Sequence, residues 1–389
     1  MKKGYEPLKA VFAAIAALFV FASLDVGYRI ATHTTTPVLT QMAEYVHITD
    51  SSWFLSHFRN FSASSTDTRA TAIATSSTAG TGNINASTQT RTAPAQAPVL
   101  SPEAMQKALI RTRLALALPN LRSADVNIIC IPKDRSKKAV SGSGVIIDSR
   151  GIIITAAHVA QYFLLQDYPA RESTTCVIRN GSPAQSAYTA QLIYISKAWV
   201  SKNAGILNNA TPVGTGENDF AFLAITGTTN GASLPTSFPY VSLSSEIPSA
   251  NEPIVLGSYA AEFKTVQNVQ VALYPTLVFG SIREIYTFEK DTVDLIALGG
   301  GAAAQEGSSG GGVVNANGQL IGLITTSSNE DDFTKRDLHA ITPEHIARSF
   351  AADMGQDLLP YLKSDSPTAL AGQFSDDTHA LATTLLGSR

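Results

Sequence analysis

The chain reads as an all-β protein, and three observations carry that reading. From Ala124 onward, short runs rich in β-branched residues alternate with turns rich in Gly, Pro, Ser and Asn. Few helical stretches interrupt those runs, so there is little to cover a parallel sheet. A hydrophobic share of 44% with only 15% charged residues suits a folded core rather than wholesale disorder. Closed barrels or a sandwich fit this pattern better than a parallel α/β sheet. At 389 residues the chain is long enough for one large or two modest domains.

Residues 1–30 read as a signal peptide or an N-terminal membrane anchor. Lys2, Lys3 and Lys9 lead into the apolar stretch 10–24, which Asp25 ends. That stretch is short for a spanning helix, which needs about 20 apolar residues. Val20-Phe21-Ala22 offers small residues at cleavage-site offsets, whereas Val26-Gly27-Tyr28 would extend the stretch into an anchor. Either reading places the remainder outside the cytoplasm, secreted or held at the cell membrane, and the anchor reading adds membrane association through this segment.

Residues 31–100 read as a low-complexity stalk with one amphipathic stretch inside it. In residues 42–61, Tyr45, Val46, Trp53, Phe54, Leu55, Phe58 and Phe61 are spaced for one apolar helix face. From Ser62 to Pro98 the composition turns to Ser, Thr, Ala, Gly, Asn and Gln, which can bury almost nothing.

The folded part is expected over 101–355. Ser101-Pro102-Glu103 opens a helix by capping serine, first-turn proline and an acid at the positive end of the dipole. That helix is expected over 104–118, with Pro119 as its stop. Strands are expected at 126–131, 144–147, 151–155, 175–178, 190–195 and 220–225. A second set follows at 254–257, 293–297, 312–314, 320–324 and 338–341. Thr342-Pro343-Glu344 caps a last helix ending near Gly355, and 356–389 read as a C-terminal tail too short for another sizeable domain.

A formal net charge of −3, with no basic run interleaved with aromatics, argues against nucleic acid as a partner. The two cysteines, Cys130 and Cys176, exclude a cysteine-rich zinc module and leave either one bridge or two buried thiols. No metal site and no cofactor is predicted. His339 and His345, near a helix start, are served by surface or packing roles.

Three motifs carry chemistry. Gly307-Ser308-Ser309-Gly310-Gly311 encloses a serine pair in glycines, which turn the backbone tightly and leave neighbouring amides uncovered. Upstream, the strand at 151–155 runs into Thr155-Ala156-Ala157-His158, whose small residues let the imidazole sit close to the backbone. Between them, Glu217-Asn218-Asp219 brings an acid to the mouth of the apolar run Phe220-Ala221-Phe222-Leu223, where burial is costly unless a partner meets it. His158, Asp219 and Ser309 together supply a base, an orienting carboxylate and a nucleophile for acyl transfer.

At these residues the chain resembles a trypsin-like serine protease, with the motifs in the order His, Asp, Ser over about 124–350. It is most similar to the bacterial Deg/Htr-like branch, because Gly142-Ser143-Gly144-Val145 and Ala340-Ile341-Thr342-Pro343 match as well, although no PDZ-like segment follows. The resemblance implies two six-stranded antiparallel β-barrels, with a preceding helix and a C-terminal helix, and the catalytic residues in the cleft between barrels. It implies a serine endopeptidase acting on proteins or peptides, with the amides of Gly307 and Ser309 as the oxyanion hole. It also places Ala303, six residues before Ser309, and Thr325 in the primary substrate pocket. With neither acid nor base at Ala303, small or medium apolar P1 side chains are expected. Ser308 stands where relatives carry aspartate or asparagine, so the oxyanion loop is expected to be less firmly held.

Two other readings compete. An α/β-hydrolase esterase also uses G-x-S-x-G, but needs a helix directly after the serine and a triad ordered Ser, acid, His. Here glycines and a hairpin signal, Asn315-Ala316-Asn317-Gly318, follow instead. A non-catalytic peptide-binding or surface module on a protease fold would suit the stalk and export signal equally well.

Overall fold

The computed structural model describes residues 101–134, 139–208, 214–328 and 330–387, all within the compact unit Ile48–Arg389. The signal or anchor at 1–30 and the stalk at 31–100, with its amphipathic stretch, lie outside the described residues. Among the described residues, no helix is long and apolar enough to cross a membrane.

Helix α1 spans Pro102–Ala124, with the Ser101 hydroxyl accepting from the Ala104 amide. It runs through Pro119 rather than stopping there. The reason is burial: Leu118, Leu121 and Ala124, all beyond the expected stop or at its edge, are inside the core. Leu121 packs onto the backbone of Gly257 and Gly312, which have no side chain to keep it away. That burial outweighs the hydrogen bond a proline removes.

The first sheet is a closed barrel. Its strands are β1 (Asp125–Pro132), β2 (Val140–Asp148), β3 (Ile152–Thr155), β4 (Thr174–Asn180), β5 (Gln185–Ile195) and β6 (Ala221–Thr228), in the order β1-β2-β3-β6-β5-β4. All six are antiparallel to their neighbours. Every side chain of Ile152–Thr155 is buried, as a strand enclosed on both faces requires.

The second sheet has seven strands: β7 (Pro253–Ser258), β8 (Thr276–Ser281), β9 (Glu284–Tyr286), β10 (Leu295–Ala297), β11 (Gly312–Val314), β12 (Leu320–Ser327) and β13 (Leu338–Ile341). Their order is β8-β7-β11-β12-β13-β10-β9. The sequence reading passed over β8 and β9, which carry half-exposed or exposed residues at most positions and so lack a strong apolar signature. The fold is the chymotrypsin-like class that the sequence predicts, but the second half, expected as a six-stranded barrel, is a seven-stranded half-barrel sheet.

Short helices α2 (Ala157–Ala160), α3 (Lys197–Lys202) and α4 (Val266–Val271) sit in the connections. Helix α5 (Pro343–Met354) follows β13 and is capped by the Thr342 hydroxyl. Its Phe350 packs on Tyr194, Phe222 and Tyr361, with ring centroids 4.7, 6.5 and 5.1 Å away. This aromatic cluster fixes α5 against the first barrel.

Beyond Gly355, the residues read as a tail form two further helices, α6 (Leu358–Lys363) and α7 (Pro367–Leu385). Leu370, Ala371, Phe374, Leu381, Ala382 and Leu385 make one buried face of α7, which lies on β5 and β6. Arg150 donates to the carbonyls of Leu362 and Asp365, and Tyr361 donates to that of Ile193.

Cys130 and Cys176 are directly paired residues on β1 and β4, and they are bridged. The bridge closes a sequence separation of 46 residues, worth about 4 kcal/mol by chain entropy. Reduction with dithiothreitol, or Cys130→Ala with Cys176→Ala, should lower the thermal midpoint by roughly 10 °C. An unchanged midpoint would contradict a stabilising role for the bridge.

Candidate active site

Strand pairing brings the first two motifs together. β3 and β6 are antiparallel, with Thr155 opposite Ala221, so the C-terminal end of one lies beside the N-terminal end of the other. His158 lies in the first turn of α2, three residues past β3, and Asp219 lies two residues before β6. The Asp219 carboxylate, 5% exposed, accepts from the His158 amide at 2.9 Å and is 2.7 Å from Nδ1 of the same residue. The acid at the mouth of an apolar strand therefore has its partner. Burial of the imidazole opposes its protonation, but the charge of Asp219 and its hydrogen bond prevail, and the His158 pKa is raised. A carboxylate on Nδ1 leaves Nε2 as the nitrogen open to a hydroxyl.

Ser309 lies on the turn entering β11 and is partly buried. Among the described residues its hydroxyl makes no hydrogen bond, so the structure joins His158 to Asp219 but forms no bond from Ser309 Oγ to His158. The link between the two halves runs through Ser143 on β2. The Ser143 amide donates to Ser309 O at 2.8 Å and its hydroxyl to Gly307 O at 2.7 Å. The Ser143 hydroxyl accepts from the Tyr259 amide, and its carbonyl accepts from the Thr155 hydroxyl just ahead of the histidine. The sequence offered Ser143 only as part of a family motif; the structure makes it the junction of nucleophile turn and histidine strand.

The glycines of the nucleophile turn are steric requirements. Gly307 has φ +91° and Gly310 φ +87°, both in the left-handed region. A Cβ on Gly310 would fall 2.0 Å from Ser143 O, and one on Gly307 would fall 2.7 Å from Tyr259 O. Among the described residues the amides of Gly307 and Ser309 have no acceptor, while those of Ser308, Gly310 and Gly311 are all engaged. Ser308 is buried, and its hydroxyl accepts from that of Ser258.

The pocket candidates are both interior. Ala303 is packed in the core of the second sheet with Leu256, Ile296 and Val313. Thr325 is buried, and its Oγ1, without a hydrogen-bond partner among the described residues, is 2.8 Å from the place a Cβ on Gly216 would take. It thus lies against the turn that carries Asp219, whose amide donates to Gly216 O.

Sequence reasoning missed the groups behind that turn. His345 on α5 is buried, and its Nε2 donates to the Glu217 carbonyl. Ser349, one turn further on, donates to Asn218 Oδ1 at 2.6 Å. His345 Nδ1 stands 3.5 Å from Asp294, which is also held by Arg348. Burial pushes the Asp294 carboxyl up, but hydrogen bonds from Thr292, Phe288 and Glu289 and the charge of Arg348 overcome it and hold the pKa at about 2. No local pattern announces this contact, because Glu217 and His345 are 128 residues apart.

Residues 142–323, the stretch holding all of these motifs, match the family of trypsin-like peptidase domains. Over that stretch the chain carries a trypsin-like peptidase domain. This protease domain is similar to the Rv3671c protease of M. tuberculosis in its active form, at 19% identity over 64% of this chain and 88% of that one, with TM-score 0.39. The inactive form of the same enzyme gives 17% identity, 66% and 100% coverage, and TM-score 0.37. A serine endoprotease from Yersinia pestis gives 17% identity, 69% and 66% coverage, and TM-score 0.38. No curated protein sequence matches this protease significantly.

Proposed function

We propose that this protease is an exported or membrane-anchored endopeptidase that cleaves peptide bonds through an acyl-enzyme on Ser309. The observation that carries the reading is the His158–Asp219 pair, set beside a nucleophile turn whose two relevant amides have no acceptor among the described residues. In this scheme His158 Nε2 takes the proton from Ser309 Oγ as the hydroxyl attacks the scissile carbonyl. Asp219 keeps the proton on Nδ1 and stabilises the imidazolium that forms. The amides of Gly307 and Ser309 receive the negative charge that develops on the carbonyl oxygen. His158 then returns the proton to the leaving amine, and water repeats the sequence on the acyl-enzyme. That Ser309 Oγ makes no hydrogen bond to His158 among the described residues is compatible with this, because such bonds often form only when substrate binds.

The preference for small or medium apolar P1 residues rests on the resemblance, which puts uncharged Ala303 at the pocket floor. Treating the protein with a fluorophosphonate probe tests the core of the proposal. Labelling of the wild type and its loss in His158→Ala support it, whereas an unlabelled, well-folded wild type would point to a non-catalytic binding module. A peptide library then reads P1: strong preference for Lys or Arg would remove Ala303 from the pocket floor.

A further inference from the structure

We propose that the Glu262–Arg336 ion pair is the device that positions the oxyanion loop, an inference that rests on the catalytic reading above. Three loops of the second sheet meet at this pair. Glu262 lies between β7 and α4, Arg336 in the β12–β13 connection, and residues 302–308 between β10 and β11. Arg336 Nη1 and Nη2 bind the two Glu262 carboxylate oxygens at 2.5 and 2.7 Å. Nη1 also donates to the Ala304 carbonyl at 2.9 Å, and Nε to that of Glu330. Glu262 Oε2 in turn accepts from the Glu306 amide at 3.2 Å, and the neighbouring Ala261 amide donates to the Glu306 carbonyl at 2.8 Å.

The chemistry follows from peptide planarity. The Glu306 carbonyl and the Gly307 N–H belong to one trans peptide unit and point in opposite directions. Tying the carbonyl to Ala261 therefore fixes the heading of the Gly307 N–H, one of the two oxyanion donors proposed above. A flipped peptide would aim the carbonyl where the N–H should be and place two partial negative charges face to face. The ion pair anchors the two peptide units just ahead of the one that must not flip, through the Ala304 carbonyl on Arg336 and the Glu306 amide on Glu262.

Two features set this pair apart from ordinary surface charges. The side chains are only 12% and 18% exposed, and the guanidinium grips the carboxylate in a two-pronged fashion that lysine cannot copy. The Arg336 hydrogen bond holds the Glu262 carboxyl below its usual range, against the effect of burial. Glu306 and Asp331 also face Arg336 electrostatically. Phe263 and Phe333, next to the pair in the same two loops, meet at 5.5 Å between ring centroids. Among the described residues, the Ser308 side chain has one hydrogen bond, accepted from the Ser258 hydroxyl.

The test compares Arg336→Gln, Glu262→Gln, their combination and Arg336→Lys in the full chain, with kcat, KM and thermal midpoint measured for each. Each single variant should lose about 10- to 100-fold in kcat with KM little changed, since a misaimed donor hurts the transition state and not the ground state. The combined variant should be no worse than either single one, because both act through the same loop. Arg336→Lys should recover only part of the loss. Two results would overturn the inference: kcat retained in the single variants while the midpoint falls, or losses that multiply in the combined variant. If Arg336→Gln does not fold, Glu262→Gln, which keeps the side-chain shape, carries the same comparison. Failure of the catalytic reading is separately visible, as absence of fluorophosphonate labelling in the wild type.

Discussion

Ser309→Ala should reduce peptide hydrolysis by roughly 10^5- to 10^6-fold while leaving the fold intact. The loss is large because the attacking atom itself is gone; what survives is positioning and oxyanion binding, worth roughly 10^3- to 10^4-fold over water. The fold should not notice. Ser309 is only partly buried, and its hydroxyl makes no hydrogen bond among the described residues, so stability should stay within about 0.5 kcal/mol. Steady-state kinetics on a peptide substrate beside a thermal melt reads both halves. Retention of more than a few per cent of activity, with normal melting, would remove Ser309 from the nucleophile role.

Asp219→Asn should cost about 10^4-fold in kcat and also move the pH profile, and the shift is the more diagnostic outcome. His158 must be neutral to accept a proton, so activity falls as pH drops through its pKa. In the wild type, burial lowers that pKa, but the charge and hydrogen bond of Asp219 raise it further, so the acidic limb lies above the ordinary histidine value of about 6.5. Asparagine removes the raising influences and leaves the burial. The His158 pKa then drops, and the acidic limb of kcat/KM moves to lower pH. Asparagine can also donate to Nδ1 and so favour the wrong tautomer, which accounts for the loss of rate. A limb that stays in place, or moves to higher pH, would show that Asp219 does not govern His158.

How much of this could be read from the residues differs by kind of interaction. The strand ends carrying His158 and Asp219 were legible because continuous apolar runs and small residues report burial locally, and β3–β6 pairing then sets the two side by side. The nucleophile turn was legible because left-handed backbone at Gly307 and Gly310 demands glycine. The stop at Pro119 was misread, since local propensity could not weigh the burial of Leu121 against Gly257 and Gly312. The helices after Gly355 were within reach: Ser366-Pro367 repeats the opening grammar of Ser101-Pro102, and the apolar residues that follow keep helical spacing. His345 and the Glu262–Arg336 pair were out of reach. Each is a charged or polar side chain whose role exists only through a partner far away in the chain.

The clamp that α5 places on the Glu217-Asn218-Asp219 turn has a consequence for the order of events during synthesis. His345 and Ser349 leave the ribosome well after the histidine, the aspartate and the serine have been made. Until they arrive and Phe350 docks among Tyr194, Phe222 and Tyr361, the turn bearing Asp219 lacks its outer support. A nascent chain can therefore hold every residue of the proposed triad and still be unarmed. Helix α5, made after all three, acts as a latch on that turn, so peptide-cleaving competence waits for its arrival.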